Sequence, residues 1–469
     1  MTLRKALFLP TLLALLALFP SIAIAQGDST LPLGLAPGAS VSALAIRLSD
    51  GKTIAQYDAD RRLVPASVTK TFTTAAALRT LGPDARIATK FGISQDKRSL
   101  TVHGAFDPTV GSQYFRRNSI DKVAASLANA LRSSGVDFLD SLSIDISLTP
   151  VSEYNGCRLW EDMGSFFGAT PSVVMDRDNE LSLYFNAPKG VGQPCRLDSV
   201  VPNICQRMPR TAVTTYNGYA DHCLVYLLDT TYWLAAGQIP QNRKAFRVKV
   251  TAPTPELNYA NHLAQQLAKR GIHVANVNKV TAPPPDSVIF TSFSPTIAEI
   301  ARQTNIHSVN LFADALALYL STNNATTRAS WDAAANAVVS FWEKQLGIHL
   351  NLRDGSGLAP LNDVAATDVV AMLKDMRGSA VWTQFQQSLP RMGVEGTWAN
   401  MGRQTPLEGR VRAKSGTMTG VVALAGYMTL ADGDEVVFCV ITNHNSESSY
   451  AVKNKIVNWL LKIYNTSTK

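Results

Sequence analysis

The 469-residue sequence predicts an α+β multidomain protein, with one domain assembled from both chain ends and a large β-rich region inserted into it. Three observations carry this. A strand–turn–strand–helix pattern opens the chain after an apolar leader, and a second closes it. Between them lies a long middle of short strand-like runs and many turn residues, with helical periodicity resuming only beyond it.

The leader comes first. Arg4 and Lys5 precede an apolar run from Ala6 to Phe19, and Ala23-Ile24-Ala25 supplies small residues at alternate positions. This is the pattern of a secretory signal peptide cut before Gln26, so residues 1–25 are read as a signal peptide and the product as periplasmic or secreted. Val41 to Leu48 then reads as a strand, Asp50-Gly51 as a hairpin turn and Thr53 to Tyr57 as the return strand. A helix runs to Leu81 and is closed by Gly82-Pro83.

Residues 86–289 form the inserted region, ending at the linker-like Thr281-Ala282-Pro283-Pro284-Pro285. Helical patterns follow at Ile297 to Leu320 and at Ser330 to Leu346. Gly420 to Leu430 and Val436 to Thr442 read as strands about an Asp432-Gly433 turn, and a helix spans Tyr450 to Tyr464. Val452, Ile456, Trp459, Leu460 and Ile463 stripe that helix at core-packing spacing. The stripe also leaves peripheral membrane contact open. Residues 26–85 and 290–469 would then make one domain.

Charge and cysteines narrow the classes. The formal charge of +8 includes Arg4 and Lys5 and is spread without a dense basic run, which argues against nucleic-acid binding. A mildly basic exported protein suits an anionic cell-wall or membrane surface. Cys157, Cys195, Cys205 and Cys223 cluster in the middle, where export would allow two disulfides with any of three pairings. Cys439 sits in a strand read as buried, as a free thiol. No Cys-x-x-Cys occurs and the histidines are scattered, so neither a metal nor another cofactor is expected.

Three short motifs carry chemistry. In Pro65-Ala66-Ser67-Val68-Thr69-Lys70, helical spacing lets the Lys70 amine reach the Ser67 hydroxyl, and a desolvated lysine can take a serine proton. In Ser308-Val309-Asn310, Ser308 can relay protons to a leaving group and the Asn310 amide can hold a substrate backbone. In Lys414-Ser415-Gly416-Thr417, before a strand, Lys414 can hold a substrate carboxylate and the Ser415 hydroxyl can add a hydrogen bond. Gly416 would let a bound chain lie close. The Thr417 amide could join that of Ser67 in an oxyanion hole. Lys414 near Lys70 would help lower the Lys70 pKa.

The ordered set Ser-x-x-Lys, Ser-x-Asn, Lys-Ser-Gly resembles the signature of penicillin-recognising serine enzymes. The chain resembles more closely the class C low-molecular-mass penicillin-binding proteins, the D-alanyl-D-alanine carboxypeptidase/endopeptidases. Gly104-Ala105-Phe106-Asp107-Pro108-Thr109, Trp160-Glu161-Asp162-Met163-Gly164 and Phe167-Gly168-Ala169 are similar to segments of that family. So are Asp354-Gly355-Ser356-Gly357-Leu358, Glu395-Gly396-Thr397 and Leu424-Ala425-Gly426-Tyr427. Val309 stands where the family usually has Asp, and Ser415 where it usually has Thr. Gln303-Thr304-Asn305-Ile306-His307 also departs from the usual approach to the second motif.

The resemblance implies a serine transpeptidase/β-lactamase-like domain, an antiparallel sheet flanked by helices, with two nested smaller domains inserted. It implies Ser67 as acylated nucleophile, Lys70 as base and Ser308 as proton relay, with Asn310, Lys414, Ser415, Gly416 and Thr417 on the substrate. Peptidoglycan stem peptides would be the substrate and β-lactams covalent inhibitors. A β-lactamase shares the three motifs but needs fast deacylation, and no carboxylate for that is assignable. A non-catalytic wall-binding protein would not need all three motifs intact. A Ser-His-Asp hydrolase lacks its Gly-x-Ser-x-Gly elbow here.

Overall fold

The structure, a computed structural model, describes residues 32–203, 209–227, 233–281, 286–322 and 326–466. The leader of residues 1–25, Cys205 and linker residues 282–285 lie outside them. The chain runs β1 (Ser40–Arg47), β2 (Thr53–Tyr57), α1 (Thr69–Leu81), β3 (Arg86–Ile93), β4 (Ser99–His103), α2 (Ile120–Ser133), β5 (Phe138–Asp145) and α3 (Trp160–Met163). It continues through β6 (Glu180–Ala187), β7 (Arg196–Val201), β8 (Arg210–Tyr216), β9 (His222–Leu227), β10 (Trp233–Pro240), β11 (Arg243–Thr251), α4 (Pro255–Ala268), β12 (His273–Val280) and β13 (Ser287–Thr296). It ends with α5 (Ile297–His307), α6 (Asn310–Ser321), α7 (Trp331–Leu346), α8 (Ala366–Arg377), α9 (Trp382–Ser388), β14 (Val411–Met418), β15 (Val421–Thr429), β16 (Glu435–Asn443) and α10 (Ser449–Asn465).

The two chain ends share one five-stranded sheet, ordered β14-β15-β16-β1-β2. β1 and β16 pair antiparallel from Ser40 opposite Asn443 to Arg47 opposite Val436. β15 and β16 read as unbroken apolar runs because both sheet faces are covered. Alternation divides them: Ala423, Ala425, Val437, Cys439 and Ile441 face the helical core, while Val422, Leu424, Phe438 and Val440 face the core under α10. The α10 stripe from Val452 to Ile463 is buried in that second core. It therefore supplies no apolar face for a membrane, and among the described residues no helix is long and apolar enough to cross one.

Helix α1 lies in the larger core and is buried on every side from Thr69 to Leu78. Its threonines tolerate this because each hydroxyl is bonded: Thr71 Oγ1 donates to Val68 O at 2.7 Å, Thr74 to Lys70 O at 2.8 Å and Thr73 across to Gly355 O at 2.7 Å. The Trp342 ring on α7 closes one side, donating from Nε1 to Phe72 O at 3.1 Å. The single helical run expected from Ile297 to Leu320 is two helices. Ser308 adopts a left-handed backbone (φ 57°) that ends α5, and α6 starts afresh at Asn310.

The central segment builds a mixed sheet ordered β12-β5-β4-β3-β13, packed by α2 and α4, and two three-stranded sheets, β8-β10-β9 and β11-β6-β7. It is therefore less purely β than its sequence suggests. A change-over at 289/290 falls within β13, which pairs with β3 from Ser287 to Thr296. The expected disulfides are not formed among the described residues: Cys157, Cys195, Cys223 and Cys439 carry free thiols. The Cys195 N–H bonds Val213 O on β8, and Cys223 on β9 lies opposite Gly237 on β10.

Candidate active site

Ser67 sits in a single 3-10 turn, Ala66–Val68, that feeds directly into α1. Ala66 is held at φ +46°, a strained value for a residue with a side chain. Two glycines hold the turn by giving it room. A Cβ on Gly357 would fall 1.9 Å from Ala66 O, and one on Gly416 would fall 2.4 Å from Pro65 O and 3.1 Å from Ser67 N. Gly416 was expected to make room for a bound chain. Its space is instead filled by the protein's own serine turn, which brings the Ser67 amide against strand β14.

That strand is an edge. The Ala413 N–H bonds Pro390 O on its outer side. Alternation along the strand aims the Thr417 N–H outward on the same side. The Ser67 amide nitrogen thus lies beside the strand that carries Thr417, and both residues line the same cleft.

Lys70 is fully buried one helical turn from Ser67. Its Nζ lies 2.9 Å from Ser67 Oγ, 2.6 Å from Asn310 Oδ1 and 2.7 Å from Ser356 O. Burial pushes its pKa down to about 7, against the pull of Asp314 and Asp354 and with help from Arg158. A neutral amine has two N–H groups and one lone pair. The Asn310 and Ser356 oxygens are pure acceptors that take the two N–H groups, which leaves the lone pair to the Ser67 hydroxyl. The arrangement can therefore remove a serine proton near neutral pH.

The second and third motifs meet at Lys414, which is also fully buried. Its Nζ donates to Ser308 Oγ at 2.9 Å and to Ser415 O at 2.7 Å. Burial and the nearby Lys70 push its pKa well down. The expected like-charge effect is thus expressed on Lys414, while burial and Arg158 lower Lys70. Lys414 was expected to hold a substrate carboxylate, but it reaches the cleft only through Ser308 and Ser415. The Ser415 hydroxyl is itself bonded to Thr397 Oγ1.

A cleft of about 780 Å³ opens over this cluster, lined by Ser67, Ser308, Asn310, Thr417, Asp162 and Phe167 among others. The last two come from the central segment. Asn310 Nδ2 donates to Phe167 O at 2.8 Å, so this segment forms one wall. Burial, with Glu161 beside it, raises the Asp162 carboxyl. The structure brings all eight sequence-predicted site residues to this one place. Arg158 and Asp314 gave no motif signal, and the resemblance of the Asp354–Leu358 segment assigned Asp354 and Ser356 no role beneath Lys70, because what relates these residues to it is burial and long-range contact.

A sheet with strands from both chain ends, a buried lysine beside a serine at a helix start, and a large central elaboration together define the penicillin-recognising serine hydrolase fold. The fold matches penicillin-binding protein 4 of Haemophilus influenzae with a TM-score of 0.79 at 23% identity, covering 92% of this chain and 97% of that one. The same protein complexed with a β-lactam matches at 0.75 and 24% identity, over 93% and 98%. A predatory endopeptidase of Bdellovibrio bacteriovorus shares the fold more distantly, at 0.51 and 15% identity over 92% and 94%. The chain belongs to the D-Ala-D-Ala carboxypeptidase 3 (S13) family, whose model matches residues 34–463. It is 28% identical to a D-alanyl-D-alanine carboxypeptidase of Actinomadura sp., over 97% of this chain and 89% of that one.

Proposed function

We propose that this protein is an exported serine D-Ala-D-Ala carboxypeptidase and endopeptidase, acting on peptidoglycan stem peptides through an acyl-enzyme on Ser67. The observation that carries this is the 2.9 Å contact between Ser67 Oγ and a Lys70 amine with a pKa near 7. Ser67 Oγ attacks the carbonyl of the terminal D-Ala-D-Ala bond as its proton passes to Lys70 Nζ. The amides of Ser67 and Thr417 take up the charge that develops on the carbonyl oxygen.

The leaving amine receives its proton through Ser308, which Lys414 orients. Water then cleaves the ester and frees the enzyme. When the leaving amine belongs to a neighbouring cross-linked stem, the same steps amount to endopeptidase action. A β-lactam enters as an acyl donor whose leaving group stays tethered, so the adduct on Ser67 persists. The carboxypeptidase and penicillin-binding names of the relatives support this substrate class. The apolar leader supports a periplasmic or secreted site of action.

Intact-mass spectrometry after incubation with penicillin tests the reading. One adduct is expected, located on the Ser67 peptide and absent from Ser67→Ala, which keeps its fold. An adduct that persists in Ser67→Ala would show another nucleophile. Digestion of a defined muropeptide pair, monomeric and cross-linked, should release D-alanine from the first and split the second.

A further inference from the structure

Beneath Lys70 lies a charged cluster that the steps above leave unused. Asp314 on α6 and Asp354 in the loop after α7 are both completely buried, and the Arg158 side chain is 1% exposed between them. Arg158 Nη2 donates to Asp314 Oδ2 and, at 3.3 Å, to Asp354 Oδ2. It also donates to Ser356 Oγ at 3.1 Å. Ser356 is the residue whose carbonyl accepts from Lys70 Nζ. Asp354 in turn accepts the N–H groups of Gly357, Leu358 and Ala359, holding the loop that presents that carbonyl.

Arg158 does not belong to this part of the chain. It comes from the central segment, 156 residues from Asp314 and 196 from Asp354. Its loop is built to deliver it. Asn155 Oδ1 accepts from Cys157 N at 2.9 Å, the Asn155 side chain donates to Arg353 O at 2.8 Å, and the Arg158 guanidinium lies 5.4 Å from the Trp331 ring centre. A buried guanidinium with this many partners is costly to place unless it serves its surroundings.

We propose that Arg158 is a positioning residue for the Ser67–Lys70 pair: it offsets the Asp314 and Asp354 charges under Lys70 and holds the Ser356 carbonyl against Nζ, so that the amine is free to take the serine proton at neutral pH. The proposal rests on the reading of Lys70 as the base. The charged groups around Lys70 are Asp314 on α6, Asp354 in the loop, Arg158 from the central segment and Lys414 on β14, while α6 also presents the neutral Asn310. The two carboxylates favour the ammonium form and Arg158 opposes them.

The test follows the rate of Ser67 acylation by a fluorescent penicillin against pH, with Ser67→Ala as the labelling control. In Arg158→Met the acid limb should move up by about one pH unit, so acylation at pH 7 slows about fivefold and recovers by about pH 9. Asp314→Asn keeps Arg158 and an acceptor for Gly355 N–H. It should move the limb the other way, and the double variant should return it towards wild type. If Arg158→Met does not fold, Asp314→Asn carries the test alone. A limb that stays in place in a folded single variant overturns the proposal and makes the cluster purely structural. Labelling that survives in Ser67→Ala instead sinks the reading of the site on which it rests.

Discussion

Lys70 Nζ lies 2.6 Å from Asn310 Oδ1, although the two residues are 240 positions apart in the chain. The contact joins the first motif to the second. It uses one of the two N–H groups of a neutral amine and so directs the lone pair. Asn310→Ala should therefore lower the acylation rate by about 10²-fold through misdirection of the base. Asn310 is only half-buried, so thermal unfolding should fall by no more than a few degrees, on the order of 1 kcal/mol. Stopped-flow acylation and a thermal melt separate the two effects.

The pH dependence of the wild type follows from burial of Lys70. Its amine must be unprotonated to act, and its pKa is pushed down to about 7. Acylation should rise with pH through that value and level off above it. Lys70→Ala should be folded, slow and without that rise. A wild-type limb near pH 10 would mean that Lys70 keeps an ordinary ammonium.

Gly416 is required by contact. A methyl group there would meet Pro65 O at 2.4 Å, with backbone on both sides of the contact. Gly416→Ala should push β14 away from the serine turn, cost about 1–3 kcal/mol and abolish most penicillin labelling. Urea unfolding and labelling on the same sample check both. Normal labelling with normal stability would refute the close approach.

His103 in the mixed sheet bridges two carboxylates, with Nδ1 2.9 Å from Asp145 and Nε2 2.8 Å from Asp286. The Asp145 bond raises its pKa, against partial burial. The stabilisation is fully present below the unfolded histidine pKa of about 6.5 and is lost as pH rises through the raised folded value. His103→Ala should therefore cost about 1 kcal/mol at pH 6 and much less at pH 9, reduced in both cases by the partial exposure of the ring. Urea midpoints at the two pH values measure the difference.

Much of the architecture was legible locally. β2 matches its expected span, and β1, β15, β16 and α10 match theirs to within one or two residues, because alternation, Asp-Gly turns and helical periodicity are properties of short windows. The break at Ser308 was not legible, because apolar periodicity continues across it and only the left-handed backbone interrupts it. Nor are the disulfides that export would allow formed among the described cysteines. Cysteine count and compartment do not say whether two thiols meet in the fold.

By itself the sequence determined which side chains are the candidates for the chemistry, since Ser67 and Lys70, Ser308 and Asn310, and Lys414 to Thr417 are each read from neighbours a few residues apart. Only the tertiary structure decided how those groups behave. The proton affinity of Lys70 depends on exclusion of water and on Asp314, Asp354 and Arg158, and the direction of its lone pair depends on Asn310 and Ser356. Those influences act through space between distant segments, and no local pattern of residues encodes them.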